Sequence, residues 1–179
     1  MPAPALVICD GGLASTVGAR LEAERCPPVA WIPPASAALL PPHGEDHEQV
    51  LATVQRQADL NGYASVIDAG SAGSTDRGVG PMSAPIALLE AIRAAMANGC
   101  ERVVWPVACG NDLDAISAAA ERALLITRLA WLEEGSLTGP APRIDTPLID
   151  LSEPALDELA RDLDLEQGSW IASHATARA

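Results

Sequence analysis

The chain has 179 residues, 49% of them hydrophobic and 20% charged, a composition that suits one globular domain with a sizeable core and excludes a disordered chain. Its net charge is -13, from 24 acids against 11 basic residues, and a surface this acidic repels phosphate backbones and anionic lipid heads, so neither nucleic acid nor membrane is an expected partner. Every basic residue is arginine, which removes the Walker-type phosphate lysine and all Schiff-base chemistry.

Short apolar runs alternate with helical patterns along the chain. Residues 5–9 (ALVIC) predict a strand buried on both faces, followed by Asp10, Gly11 and Gly12 and a helix over 14–25 that ends before Pro27 and Pro28. Residues 29–32 (VAWI) predict the second strand. A helix over 45–60 places Val50, Leu51, Val54 and Ala58 on one face and stops at Asn61 and Gly62, and residues 63–68 make the third strand. The glycine-rich stretch 70–81 has no periodicity and reads as a loop, either a solvated connector or a lid. A helix over 85–98 closes at Gly99, and residues 102–107 (RVVWPV) form strand four.

The next helix runs from Asp112 to Glu134, capped by Asp112 or Asn111, and is apolar on more than one side. Ile116, Ala120, Ala123, Leu124, Thr127 and Trp131 are expected to face the sheet. Leu125, Leu129 and Leu132 then need another cover, and a second copy of the chain supplies one, giving a homodimer through this helix. Residues 143–149 predict a proline-interrupted edge strand, and Ser152 caps a last helix with Leu156, Leu159, Ala160 and Leu163 in one stripe. Five strands alternating with five helices define an α/β fold: a three-layer sandwich around a five-stranded parallel sheet, one domain over 1–179 with residues 166–179 as a C-terminal tail. Ligands of such sheets bind at the carboxyl ends of the strands, here the loops after Cys9, Ile32, Asp68 and Val107.

Cys9, Cys26, Cys100 and Cys109 contain no Cys-x-x-Cys pair, so reduced thiols are expected and zinc is not. No charged leader or long apolar span occurs, and the expected compartment is the cytoplasm. His43 and His47 are four apart in HGEDHE, but Pro41, Pro42 and Gly44 place His43 outside the helix, and an acidic helix start favouring the dipole is the simpler reading. Glu22, Asp68 and Asp112 are crest or near-crest carboxylates, which are read as helix caps or as bases.

The informative stretch is ICDGGLASTV, residues 8–17, a strand entering a Gly-Gly turn and then a helix. Gly11 and Gly12 admit a close backbone approach, the first helical N–H groups point outward, and Ser15 and Thr16 add hydroxyls for an anion. With its neighbours this stretch resembles the Ser-Gly-Gly-hydrophobic-Asp-Ser-Thr loop of the PP-loop ATP pyrophosphatases, matching at Gly11, Gly12, Leu13, Ser15 and Thr16. Residues 145–165 (DTPLIDLSEPALDELARDLDL) are similar to the C-terminal Thr-Pro-Leu-hydrophobic-Asp-Leu segment of the 7-cyano-7-deazaguanine synthases of queuosine biosynthesis, and residues 109–112 (CGND) are similar to that family's loop after strand four.

The resemblance implies an adenine-nucleotide α-hydrolase-like (Rossmann-like) fold and ATP or AMP as ligand, with Mg²⁺ if the enzyme is active and phosphate held by Gly11, Gly12, Leu13, Ser15 and Thr16. Five positions depart from it. The first loop serine is Asp10 and the loop aspartate is Ala14; Ser83 and Ala84 stand where an Arg-Asn pair opens the third helix, and Glu153 replaces a lysine. The family's C-terminal cysteine cluster is also missing, so the resemblance implies no structural zinc. A carboxylate at position 10 within about 3 to 4 Å of phosphate oxygens costs several kcal/mol in a desolvated pocket. Two readings stand: an adenylating enzyme that splits ATP to AMP and pyrophosphate, its activity impaired by these changes, or a catalytically lapsed pseudoenzyme, a non-catalytic homodimeric scaffold or interaction protein that binds AMP weakly or no nucleotide at all.

Overall fold

A computed structural model describes residues 3–34, 37, 39, 46–70, 83–134, 142–166 and 168–171, with 133 and 134 described by their backbone. In chain order these form β1 (Ala5–Ile8), α1 (Leu13–Ala23), β2 (Val29–Ile32), α2 (His47–Asn61), β3 (Ser65–Asp68), α3 (Ser83–Ala97), β4 (Arg102–Val104), α4 (Leu113–Glu134), β5 (Arg143–Asp145) and α5 (Glu153–Asp162). All five strands are parallel, in the order β3-β2-β1-β4-β5, as the alternation of strand and helix predicts. The order reverses at β1, so the ends of β1 and β4 open a crevice at the crest.

Alternate side chains of β1 serve the two faces. Leu6 and Ile8 lie in the core with α3 and α4, whereas Ala5, Val7 and Cys9 pack with Ala19 of α1 and Val54 of α2. That double burial explains why β1 is apolar throughout. Helices α1, α2 and α5 share the second face, where Leu13, Val17, Leu148, Leu156 and Ala160 make a separate cluster. Gly62 and Gly99, at φ +68° and +67°, end their helices in the left-handed conformation expected of them.

One helix register differs from the sequence expectation. The buried stripe of α4 is Ala119, Ala123, Ile126, Thr127 and Ala130, whereas Leu124 and Trp131 stand at the surface beside Leu125, Leu129 and Leu132. Small side chains let α4 approach α3, whose own inward face carries Ala87, Ala91 and Ala95. The Thr127 hydroxyl then accepts the Ile144 N–H at 3.1 Å, which fixes α4 against the edge strand. The strands at 102–104 and 143–145 end earlier than expected, because beyond each the chain leaves the ladder to build the crest, and the third strand starts at Ser65 rather than at residue 63. The loop predicted over 70–81 lies outside the described residues apart from Gly70, as does His43. Among the described residues no helix is long and apolar enough to cross a membrane.

Candidate functional site

The three segments that carry the sequence resemblance meet around α1. Downstream of β4, Trp105, Cys109 and Gly110 donate backbone N–H bonds to Asp145, Ile149 and Leu151 at 2.8, 2.9 and 3.1 Å, which ties the CGND turn to the Thr-Pro-Leu-Ile-Asp-Leu segment. Leu148 of that segment is buried against α1. A Cβ on Gly18 would lie 3.1 Å from Pro106 Cβ, so glycine there lets the post-β4 segment press against the helix. The glycine loop after β1 and the loop after β4 thus flank the point where the strand order reverses.

Within the loop, the Asp10 carboxylate folds back on the start of α1. Its Oδ1 accepts the Gly12 N–H at 2.9 Å and lies 2.7 Å from Ser15 Oγ. The N-cap is Gly12, which has no side chain to cap the helix, and the first turn of α1 holds no acid, so Asp10 brings the negative charge that this helix end favours. Ser15 Oγ also lies 2.9 Å from Gly12 O; its single proton goes to one acceptor at a time, and the shorter, charged one is stronger. Thr16 Oγ1 donates to Gly12 O at 2.8 Å and accepts from Gln57 Nε2 at 2.8 Å. Both hydroxyls are buried, bonded to Asp10 and Gly12 of the loop and to Gln57 of α2. Leu13 and Ala14 pack on the cluster between α1 and α5.

Gly11 adopts φ +78°, which a side chain disfavours. The space in front of it is taken by the chain itself: a Cβ there would stand 2.9 Å from Ile171 Cδ1. The Ile171 N–H donates to Gly11 O at 2.8 Å, and Ile171 pairs with Gly12 in a parallel bridge. Residues 168–171, expected as part of a tail, therefore lie on the loop. Sequence inspection had no local signal for this pairing, nor for Gln57, which is buried and whose amide also donates to Ser169 O at 2.8 Å.

The crest holds a second polar pair at its β3 edge. Asp68 Oδ1 accepts the Gly70 N–H at 2.8 Å and lies 2.9 Å from His47 Nε2. The His47 ring lies on Gly70, where a Cβ would come within 2.4 Å of Cε1. In a strand–helix–strand unit the start of the helix and the end of the next strand share one edge, which is the signal that joins these two residues. Asp46, the residue before His47, caps α2 by accepting the Gln49 N–H at 2.8 Å. Asp112 caps α4 in the same way, through the Ala115 N–H at 3.0 Å, so of the two sequence readings the cap applies.

Glu22 requires a correction. It lies at the far end of α1 from the crest and pairs with Arg102 at the foot of β4; Arg102 also stands 3.9 Å from Asp145. Because α1 runs back down the sheet, its last turn is beside the strand beginnings, and Glu22 is structural.

Burial, and then the charge of Asp10, push the Cys9 thiol far above its ordinary range, and its Sγ–H donates to Val7 O at 3.4 Å. Cys9 is therefore an inert core thiol rather than a nucleophile. Among the described residues no three His, Cys, Asp or Glu side chains are grouped closely enough to hold a metal ion.

The fold and crest define an α/β protein of the adenine-nucleotide α-hydrolase-like type. No protein-family model matches the chain, and no curated protein matches it. Solved structures share its fold. A U34-tRNA thiolase, NcsA, from Methanococcus maripaludis, solved with its [4Fe-4S] cluster, matches at TM-score 0.58 and 16% identity over 92% of this chain and 58% of its own. NMN synthetase from Francisella tularensis matches at 0.53 and 16% over 92% and 63%. The NH3-dependent NAD synthetase of Campylobacter jejuni, in complex with nitrate, matches at 0.52 and 14% over 93% and 66%. The chain thus spans 58–66% of the length of these proteins.

Proposed function

We propose that this protein binds an adenine nucleotide at the crest by its phosphates, as a PP-loop-type protein related to the 7-cyano-7-deazaguanine synthases, with impaired ATP pyrophosphatase activity. The carrying observation is the Asp10 carboxylate seated on the Gly12 N–H and beside Ser15 Oγ, at 2.9 and 2.7 Å. Those are donors that a phosphate on this loop would use, and a carboxylate occupies them in its place. The convergence of residues 10–16, 105–110 and 145–151 around α1 supports the family reading, as does a fold shared with two synthetases and a tRNA thiolase of the PP-loop superfamily. The residues fit AMP or pyrophosphate only once Asp10 gives up its place. Calorimetry with AMP, ATP and pyrophosphate, with and without Mg²⁺, tests the reading: weak binding without release of pyrophosphate from ATP is the expected result. Turnover above a no-enzyme control that disappears in Ser15→Ala would establish an active enzyme instead.

A second reading, the homodimeric scaffold, draws on the outer face of α4. Leu125 and Leu132 are 61% and 82% exposed, next to Leu124, Leu129 and Trp131, an apolar surface of the kind a partner covers. Light scattering is expected to give a dimer, and Leu129→Glu, on a half-exposed position that the fold does not need buried, is expected to give a folded monomer. A monomer at high concentration, unaltered by that substitution, removes the dimer.

A further inference from the structure

Residues 168–171 cover the glycine loop through contacts of three kinds. The Ile171 N–H donates to Gly11 O at 2.8 Å and the Ile171 backbone bridges to Gly12. The Ile171 side chain fills the space that glycine at position 11 leaves open. Gln57 ties the segment to the loop from below, with Nε2 at 2.8 Å from both Ser169 O and Thr16 Oγ1.

This docking is not fully satisfied. Gln57 Oε1 and Ser169 Oγ are both buried without a hydrogen-bond partner among the described residues, although Gln57 is only 1% exposed. Buried polar atoms left without partners oppose the arrangement that buries them, and release of the segment lets water reach both. The segment begins at Gly168, whose φ of +89° belongs to glycine and gives the chain a pivot. An anion on the start of α1 would be held by the N–H groups there, and the segment lies against that same turn, bonded to the Gly11 carbonyl and bridged to Gly12, in the space the anion would enter.

We propose that residues 168–171 form an autoinhibitory strap that competes with an anionic ligand for the glycine loop, held by Ile171 and Gln57 and released by pivoting at Gly168. The proposal rests on the reading of this loop as a phosphate site. Its test uses Asp10→Ser as background, so that the carboxylate does not mask the strap. Into it are placed Ile171→Pro, which deletes the N–H donated to Gly11, and Ile171→Ala, which removes only the side chain and keeps the test available if the proline variant does not fold.

Calorimetry with inorganic pyrophosphate and AMP is expected to give about tenfold tighter pyrophosphate binding in the Ile171 variants than in the background. Hydrogen exchange at 168–171 in the background protein is expected to speed up when pyrophosphate saturates it. Equal affinities, or strap exchange unaltered by bound pyrophosphate, overturn the strap and leave the phosphate site standing. No binding by any of these proteins removes the phosphate site, and the strap with it.

Discussion

Asp10→Ser is expected to bind pyrophosphate at least about tenfold more tightly than the unmodified protein, which corresponds to about 1.4 kcal/mol. The gain comes from removing a negative charge at the position where phosphate oxygens would lie. Since repulsion between a carboxylate and phosphate at about 3 to 4 Å amounts to several kcal/mol in a poorly solvated crevice, a tenfold change is the lower end of the expected range. The same substitution is expected to lower stability by about 1 kcal/mol, because Gly12 N–H loses a charged acceptor at the start of α1. Asp10→Asn separates the two effects: its amide oxygen keeps an acceptor for Gly12 while the charge disappears. It should retain most of the stability and gain most of the affinity. Pyrophosphate binding unchanged in both variants would show that the carboxylate does not guard the loop.

The second large effect is structural and lies at the other end of the sheet. Glu22→Ala is expected to destabilise the fold by about 3 kcal/mol, read from urea or thermal unfolding. Glu22 is 7% exposed and is the partner of Arg102, whose guanidinium, among the described residues, otherwise reaches the carboxylate of Asp145 at 3.9 Å. Removing Glu22 leaves a mostly buried cation with a distant counter-charge, and that, more than the lost attraction, is the source of the cost. The double variant Glu22→Leu with Arg102→Met removes both charges and should recover most of the loss. A single-variant loss below about 1 kcal/mol would mean the pair behaves as an exposed one.

These two carboxylates show where local reading succeeds and where it fails. Asp10 follows an apolar strand and precedes two glycines and a helix, so its position at a helix start, and its attraction to the N–H groups there, follow from chain order over five residues. Glu22 is indistinguishable from a crest acid in sequence, since only the direction of α1 across the sheet places it at the foot of β4. The five parallel strands and five helices were likewise legible, because short apolar runs, period 3.6 and glycine or proline stops are all local signals.

What the sequence by itself determined is thus the element order, the layered α/β class and the Gly11–Gly12 turn that leads β1 into α1, each of which depends on neighbours within a helical turn or a strand. The tertiary structure alone decided the rest. The face of α4 turned inward was undetermined, because a helix apolar all round offers several stripes; close packing against α3 and the Thr127–Ile144 bond selected the alanines. His47 met Asp68 because a helix start and a strand end share one edge of the sheet. Ile171 reached Gly11 across 160 positions of sequence, through backbone hydrogen bonds that any residue type but proline can make at its end, and so left no mark in the residue pattern.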